Sequence, residues 1–128
     1  MIVLLDTRTS TCFLTLVSDS EHHEYEWEAG RSLALGLLEF LQQKLSLHDK
    51  SLHDVTAIGV AKGPGSFTGL RIGLTVMNTI ASDLQIKIVG VSGDEWKSVA
   101  LDRLQRGEND QLVMPEYGGE ANITQPRK

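Results

Sequence analysis

Much that would point to a familiar chemistry is missing from these 128 residues. There is one cysteine, Cys12, so no internal disulfide can form, and its place in a probable strand interior suits an inert buried thiol. No run of eighteen apolar residues exists, which excludes an ordinary membrane-spanning helix. The N-terminus lacks the basic region and long apolar stretch of a signal peptide, and a cytoplasmic location is expected. Positive charge is in short supply too. Twelve Lys and Arg face seventeen Asp and Glu, for a net charge of -5. A chain this acidic is not expected to grip nucleic acid alone, because phosphate neutralisation needs a basic patch. Catalytic sets are also absent: no nucleophile elbow, no metal-ligand set and no convincing carboxylate pair. Asp6 is the single acid at a strand end that could face a cleft. It reads either as a turn carboxylate binding nearby N–H groups or as a metal or water ligand.

What is present centres on Gly63-Pro64-Gly65-Ser66-Phe67-Thr68-Gly69-Leu70-Arg71-Ile72-Gly73. The β-branched run 55–61 before it reads as a buried strand, and 70–84 after it as a helix. Gly63 and Gly65 permit unusual backbone angles, Pro64 stiffens the turn, and Ser66 or Thr68 can cap the helix. A strand–turn–helix of this kind presents N–H groups and the positive end of a helix dipole, which favours an anion. A tight turn with no ligand is the alternative. No Gly-Lys-Ser/Thr closes the stretch, so it is not a Walker loop, and the glycine spacing does not fit a dinucleotide fingerprint.

The rest of the chain reads as an α/β domain with a mixed sheet. Residues 1–5, 11–17 and 21–28 are three successive antiparallel strands, the first two joined by a polar hairpin over 6–10. The third alternates Tyr25 and Trp27 with Glu24, Glu26 and Glu28, as an edge strand with one wet face would. Helices are expected over 32–45 and 70–84, and a strand over 86–91 should lie parallel to 55–61. Ser92 and Glu95 have the spacing of a capping box for a last short helix that Gly107 ends. Residues 108–110 form a polar break, 111–114 are apolar enough for one more core contact, and 115–128 read as a tail. His48, Asp49, His53 and Asp54 recur at a spacing of five, which does not return to one helix face, so a solvated loop is expected there. His22 and His23 fall on opposite strand faces without partners.

Both long helices are more apolar than one buried face requires. At 100° steps the apolar arc of the first covers roughly 220° and that of the second roughly 200°. Packing side by side would use part of this surplus. The remainder predicts a partner surface that includes Leu33, Leu37, Gly73, Val76, Met77 and Ile80.

The 63–73 stretch resembles the signature of the TsaB (YeaZ) family. Asp6-Thr7 after the first strand and Val89-Gly90-Val91-Ser92 support the resemblance, which covers residues 1 to about 100. It implies an actin-like, sugar-kinase-like lobe over 1–110 with a five-stranded mixed sheet and no catalytic residue, followed by a tail over 111–128 without a full second lobe. It further implies an accessory, non-catalytic scaffold subunit in the making of threonylcarbamoyladenosine in tRNA. Such proteins pair with the catalytic subunit TsaD and the small ATPase TsaE, can form a homodimer in isolation, and meet tRNA only through the complex. No cofactor is expected in this chain, with ATP or ADP and Mg entering only at the level of the complex. Gly63, Gly65, Ser66, Thr68, Gly69, Arg71 and Asp6 are the signature and possible anion-binding residues. The chain departs from the family where Asp-Thr-Ser-Thr is usual, since Arg8 here replaces a small residue. Met114-Pro115-Glu116-Tyr117-Gly118 resembles the family's Pro-x-Tyr ending joined directly to lobe one, as in a shortened member. The rival class is a small phosphotransferase or peptidase that uses the glycine turn as an anion cradle and Asp6 as a metal or water ligand.

Overall fold

The computed structural model describes residues 1–117; the expected tail beyond Tyr117, including Gly118, lies outside the described residues. Five strands form one sheet: β1 (Ile2–Asp6), β2 (Thr11–Ser18), β3 (Glu21–Glu28), β4 (Ala57–Gly63) and β5 (Lys87–Ser92). Their spatial order is β3-β2-β1-β4-β5. The first three strands pair antiparallel, while β4 runs parallel to both β1 and β5. This is the mixed sheet expected from sequence. The register places Asp6 opposite Phe13 and Ile58 opposite Ile88.

Three helices cover the sheet: α1 (Leu33–Ser46), α2 (Phe67–Leu84) and α3 (Trp96–Gln105). On one face, Val3, Leu5, Leu14, Leu16, Ile58 and Val60 meet Leu37, Phe40, Leu41, Leu74 and Met77 of α1 and α2. On the other, Leu4, Ala57, Ala61 and Val89 meet Trp96, Ala100 and Leu104 of α3. Period-two alternation along β1 explains the division, since Val3 and Leu5 point one way and Leu4 the other. Trp27 of β3 lies on α1, its ring 5.2 Å from that of Phe40. A Cβ at Gly36 would stand 2.7 Å from the indole, so only glycine lets α1 lie this close.

Element ends shift from expectation: β4 runs two residues later than the expected 55–61, and α1 and β5 one residue later. The second helix begins three residues early, because Ser66 caps it by accepting from the Gly69 N–H at 3.2 Å. Ser92 and Glu95 form no capping box: α3 starts after Glu95 with no side-chain cap, and the Ser92 hydroxyl bonds the Glu116 carboxylate instead. Gly93, at φ 93°, turns the chain between them. The box forms elsewhere, on the single turn at 52–54, where Ser51 N–H donates to Asp54 at 2.9 Å. His23 is also partnered, stacking on His48 at 4.3 Å, and the Tyr25 hydroxyl bonds His48 Nε2 at 2.7 Å. Burial pushes the Cys12 thiol up to about 12, with the Asp6 charge adding to it.

After α3 the chain returns along β5 as a strap. Ile88 N–H donates to Asn109 at 3.1 Å, and Asp110 N–H donates to the Ile88 carbonyl at 2.8 Å. Gly90 N–H donates to the Asp110 carboxylate at 2.9 Å, and Arg103 Nη1 donates to the Gly90 carbonyl at 3.0 Å. The supposed polar break thus satisfies an otherwise open sheet edge. Farther on, the Asn78 amide brackets Val113, accepting from its N–H and donating to its carbonyl, each at 2.9 Å. Glu116 N–H donates to the Lys62 carbonyl at 2.7 Å. Residues 111–117 are therefore docked on the lobe. No described helix is long and apolar enough to cross a membrane.

Two outcomes are expected of the strap. Asn78→Ala strands both polar groups of Val113, a loss of about 1–3 kcal/mol, and should lower the thermal midpoint and speed proteolysis within 111–117. Burial works to raise the Asp110 carboxyl, but hydrogen bonds from Arg103 and the Gly90 N–H hold it below its ordinary value. Its contribution is therefore present above the unfolded carboxylate range, near pH ~4, and is lost as pH falls through the lower folded value. Asp110→Asn should flatten that acid limb of an unfolding titration; an unchanged limb would place the acid sensitivity elsewhere.

Candidate functional site

The glycine turn is built against the β1–β2 hairpin. Ser66 N–H donates to the Arg8 carbonyl at 2.8 Å, and Thr7 Oγ1 donates to the Gly69 carbonyl at 2.8 Å. A Cβ at Gly65 would lie 2.6 Å from Arg8 Cβ, at Gly69 2.4 Å from the Thr7 carbonyl oxygen, and at Gly73 2.2 Å from Thr7 Oγ1. These glycines recur every four residues, so they form one stripe along the turn and α2. The stripe lets the helix sit directly on the hairpin. Gly63, at φ 139°, faces the strap, where a Cβ would overlap the Glu116 carbonyl oxygen. The Gly63–Pro64 bond is cis.

Asp6 is fully engaged. Its carboxylate accepts from Arg8 Nε at 3.0 Å, Arg8 Nη2 at 2.9 Å and the Arg8 backbone N–H at 2.9 Å. Arg8 Nη1 continues to the Gly93 carbonyl at 3.0 Å, tying the hairpin to the turn before α3. The Asp6 hydrogen bond holds the Arg8 guanidinium above its ordinary value, against the opposing effect of burial. The two charges neutralise each other in a bidentate pair. Arg8 thus takes up most of the Asp6 carboxylate, and Asp6 and the Gly93 carbonyl take up the Arg8 guanidinium. No group of three His, Cys, Asp or Glu able to hold a metal ion occurs among the described residues.

The structure therefore brings Asp6, Gly65, Ser66, Gly69 and Gly73 together around Thr7 and Arg8. It leaves Thr68 and Arg71 outside that cluster, exposed on the far side of α2.

The helix faces divide differently from the sequence expectation. Leu33, Leu37, Met77 and Ile80 are buried in the core between the two helices and the sheet, and Gly73 is buried against Thr7. They are taken up by the core and offer little surface to a partner. The reason is that α1 and α2 lie side by side, so each arc is divided among sheet, neighbouring helix and exterior. Of the six expected contact residues, Val76 alone stands half-exposed. The apolar exterior is made instead by Ala34, Leu35, Leu38, Phe67, Ile72 and Val76, with Leu35 at 93% exposure. A groove of about 360 Å³ runs between α1 and α2, floored by Ile72 and Val76. A second, of about 440 Å³, runs between α2 and the strap, where Leu112, Met114 and Tyr117 are exposed. Nothing in the local pattern marks Leu112 and Met114 as surface, because strap docking alone decides it. The Pro-x-Tyr stretch was the available signal for Tyr117.

Comparison with known proteins agrees with this lobe. Residues 27–105 match the family model described as TsaD: tRNA N6-adenosine threonylcarbamoyltransferase. The tRNA threonylcarbamoyladenosine biosynthesis protein TsaB of Escherichia coli (strain K12) is 32% identical over 91 residues, covering 71% of this chain and 39% of that protein. Its counterpart in Bacillus subtilis (strain 168) is 35% identical over 95 residues, covering 73% and 42%. The solved structure titled "YeaZ from Pseudomonas aeruginosa" superimposes with a TM-score of 0.68 at 29% identity, over 83% of this chain and 49% of that one. The chain spans less than half the length of these relatives.

The glycine stripe can be tested by a mutant cycle. Gly73→Ala should destabilise the lobe, since the new methyl meets Thr7 Oγ1 at 2.2 Å and Cγ2 at 3.1 Å. In a Thr7→Ala background both atoms are gone, so the added cost should shrink by about 0.5–3 kcal/mol, read from denaturant midpoints. Strict additivity would show that the helix does not rest on Thr7.

Proposed function

Since this chain belongs to the TsaD family and within it is a TsaB (YeaZ) member with an actin-like lobe, we propose that it is a non-catalytic scaffold subunit in tRNA threonylcarbamoyladenosine biosynthesis. It pairs with the catalytic TsaD subunit and supports TsaE in the cytoplasm. It reaches tRNA, ATP or ADP and Mg only through that complex, and a homodimer is the state expected without partners. Within the chain, we take residues 1–110 as the lobe and 111–128 as the segment that follows it, of which 111–117 dock back on the lobe.

The observation that carries this reading is the outer face of α1 and α2. Leu35 is 93% exposed, Phe67 56% and Leu38 44%, flanking grooves whose floors are apolar. Side chains of this kind gathered on one face favour a partner that removes them from water. The engaged Asp6–Arg8 pair supports the non-catalytic part. The one candidate acid is already paired with a cation from its own hairpin, which lowers its pull on a metal ion.

Copurification with TsaD from the same organism tests the pairing directly. Two leucines two residues apart, on opposite faces of α1, separate folding from docking. Leu37→Glu places a charge at a fully buried position and should unfold the lobe, a cost of several kcal/mol (~3–5). Leu35→Glu should leave circular dichroism and the thermal midpoint unchanged yet weaken TsaD capture at least about tenfold. A folded Leu35→Glu variant that pairs normally, together with a folded Val76→Asp variant that pairs normally, would remove this face as the interface. ATP turnover by the isolated chain that Asp6→Ala abolishes would overturn the non-catalytic reading.

A further inference from the structure

Away from the crest of α2, the outer side of that helix between its two grooves, the sheet ends in two edges with different protection. The β3 edge is kept in water by Glu21, Glu24, Glu26 and Glu28. β5 carries a single charge, Lys87, among mostly β-branched residues, and depends on the strap for cover. Its outward ladder groups belong to Ile88 and Gly90. The Ile88 N–H donates to Asn109 Oδ1, and the Ile88 carbonyl accepts from the Asp110 N–H. The Gly90 N–H donates to Asp110 Oδ2, and the Gly90 carbonyl accepts from Arg103 Nη1. Side chains supply all but one of these bonds, so the strap plugs the edge without becoming a further strand of the sheet.

The plug is not packed flat. A cleft of about 420 Å³ is lined by Asp110, Leu112 and Met114 of the strap and by Lys62, Gly90 and Arg103 of the lobe. Gln111 takes φ 68°, a left-handed conformation that residues other than glycine seldom adopt. It is held there between two fixings, Asp110 on Arg103 and Val113 on Asn78. We propose that the strap is an autoinhibitory cover, and that β5, once uncovered, takes the β5 strand of a second copy. A two-fold axis at Val89 sets Ile88 of each copy opposite Gly90 of the other. In an antiparallel ladder both pairs then exchange N–H and carbonyl bonds, so one edge meets every group that the other leaves open. Lys87 falls opposite Val91 in this register, so no like charges face each other across the pair.

Sedimentation of the full chain at physiological salt compares the unaltered protein with Asp110→Ala and with the double variant Asn109→Ala, Asp110→Ala, both at exposed positions. Asn78→Ala is the control, since it loosens the strap at Val113 and leaves the β5 bonds in place. Asp110→Ala should associate at least about tenfold more tightly than the unaltered chain, and the double variant more tightly still, whereas Asn78→Ala should not. Backbone hydrogen exchange reports the edge itself. In dilute solution the Ile88 and Gly90 amides of the two β5 variants should exchange at least about tenfold faster than in the unaltered chain, and regain protection as concentration rises. Folded variants that sediment like the unaltered chain over about a hundredfold range of concentration would overturn the proposal. Association that leaves those two amides unprotected would overturn it too, by placing the contact elsewhere. The unaltered chain supplies a check that needs no variant to fold. Its Ile88 and Gly90 amides should open at least about tenfold more readily than the Val89 amide, which faces β4. Equal opening would make the strap a fixed part of the sheet and overturn its role as a removable cover.

Discussion

The close seat of α2 on the β1–β2 hairpin governs the rest of the lobe. With Gly65, Gly69 and Gly73 turned toward Thr7 and Arg8, the rotation of the helix about its axis is fixed. Leu70, Leu74 and Met77 then point into the core, and Arg71 and Thr75 point out. A side chain anywhere on the stripe would push the helix off the hairpin and roll it. The apolar crest, its two grooves and the position of the single cation all follow from that rotation. Packing is thus sufficient reason for the glycines at 65, 69 and 73.

Charge at the hairpin is settled internally as well. The Asp6–Arg8 pair closes on itself and passes one hydrogen bond to Gly93, so one side chain ties the hairpin to the turn before α3, while the Arg8 backbone carbonyl holds the glycine turn through the Ser66 N–H. A small residue at position 8 could not make this link. Behind the turn, the Glu116 carboxylate meets Ser92, and the Glu116 backbone bonds Lys62. An anion approaching from the strap side would meet a carboxylate there, which opposes the helix dipole that made the turn look suited to one.

Sheet order and strand directions were legible because each strand declares itself by local alternation, and because a strand–helix–strand unit leaves few topologies. Helix existence was legible for the same reason. The division of each apolar arc was not. Arc width records how many directions a helix buries, not which neighbour takes each one, and α1 and α2 take much of each other's flank. Contacts between distant segments leave no periodic trace either: Asn78 on Val113, Arg8 on Gly93 and Asp110 on Gly90 are decided by the assembled fold. Ser92 shows the limit of motif reading, since its spacing from Glu95 suited a cap but Gly93 turned the chain away from it.

The uncovered surfaces differ in how they meet a neighbour. The β5 edge is closed by Asn109, Asp110 and Arg103. The β3 edge is open but carries Glu21, Glu24, Glu26 and Glu28, which repel a second strand of like charge and hold the edge in water. The crest of α2 has no such defence. Its outer side carries Phe67, Ile72, Val76 and several threonines together with one charge of each sign, Arg71 and Asp83, beside preformed grooves. A net charge of -5 adds a general repulsion between copies of this chain. The overall charge thus works against a second copy at the crest, while the exposed apolar side chains there favour a partner that covers them.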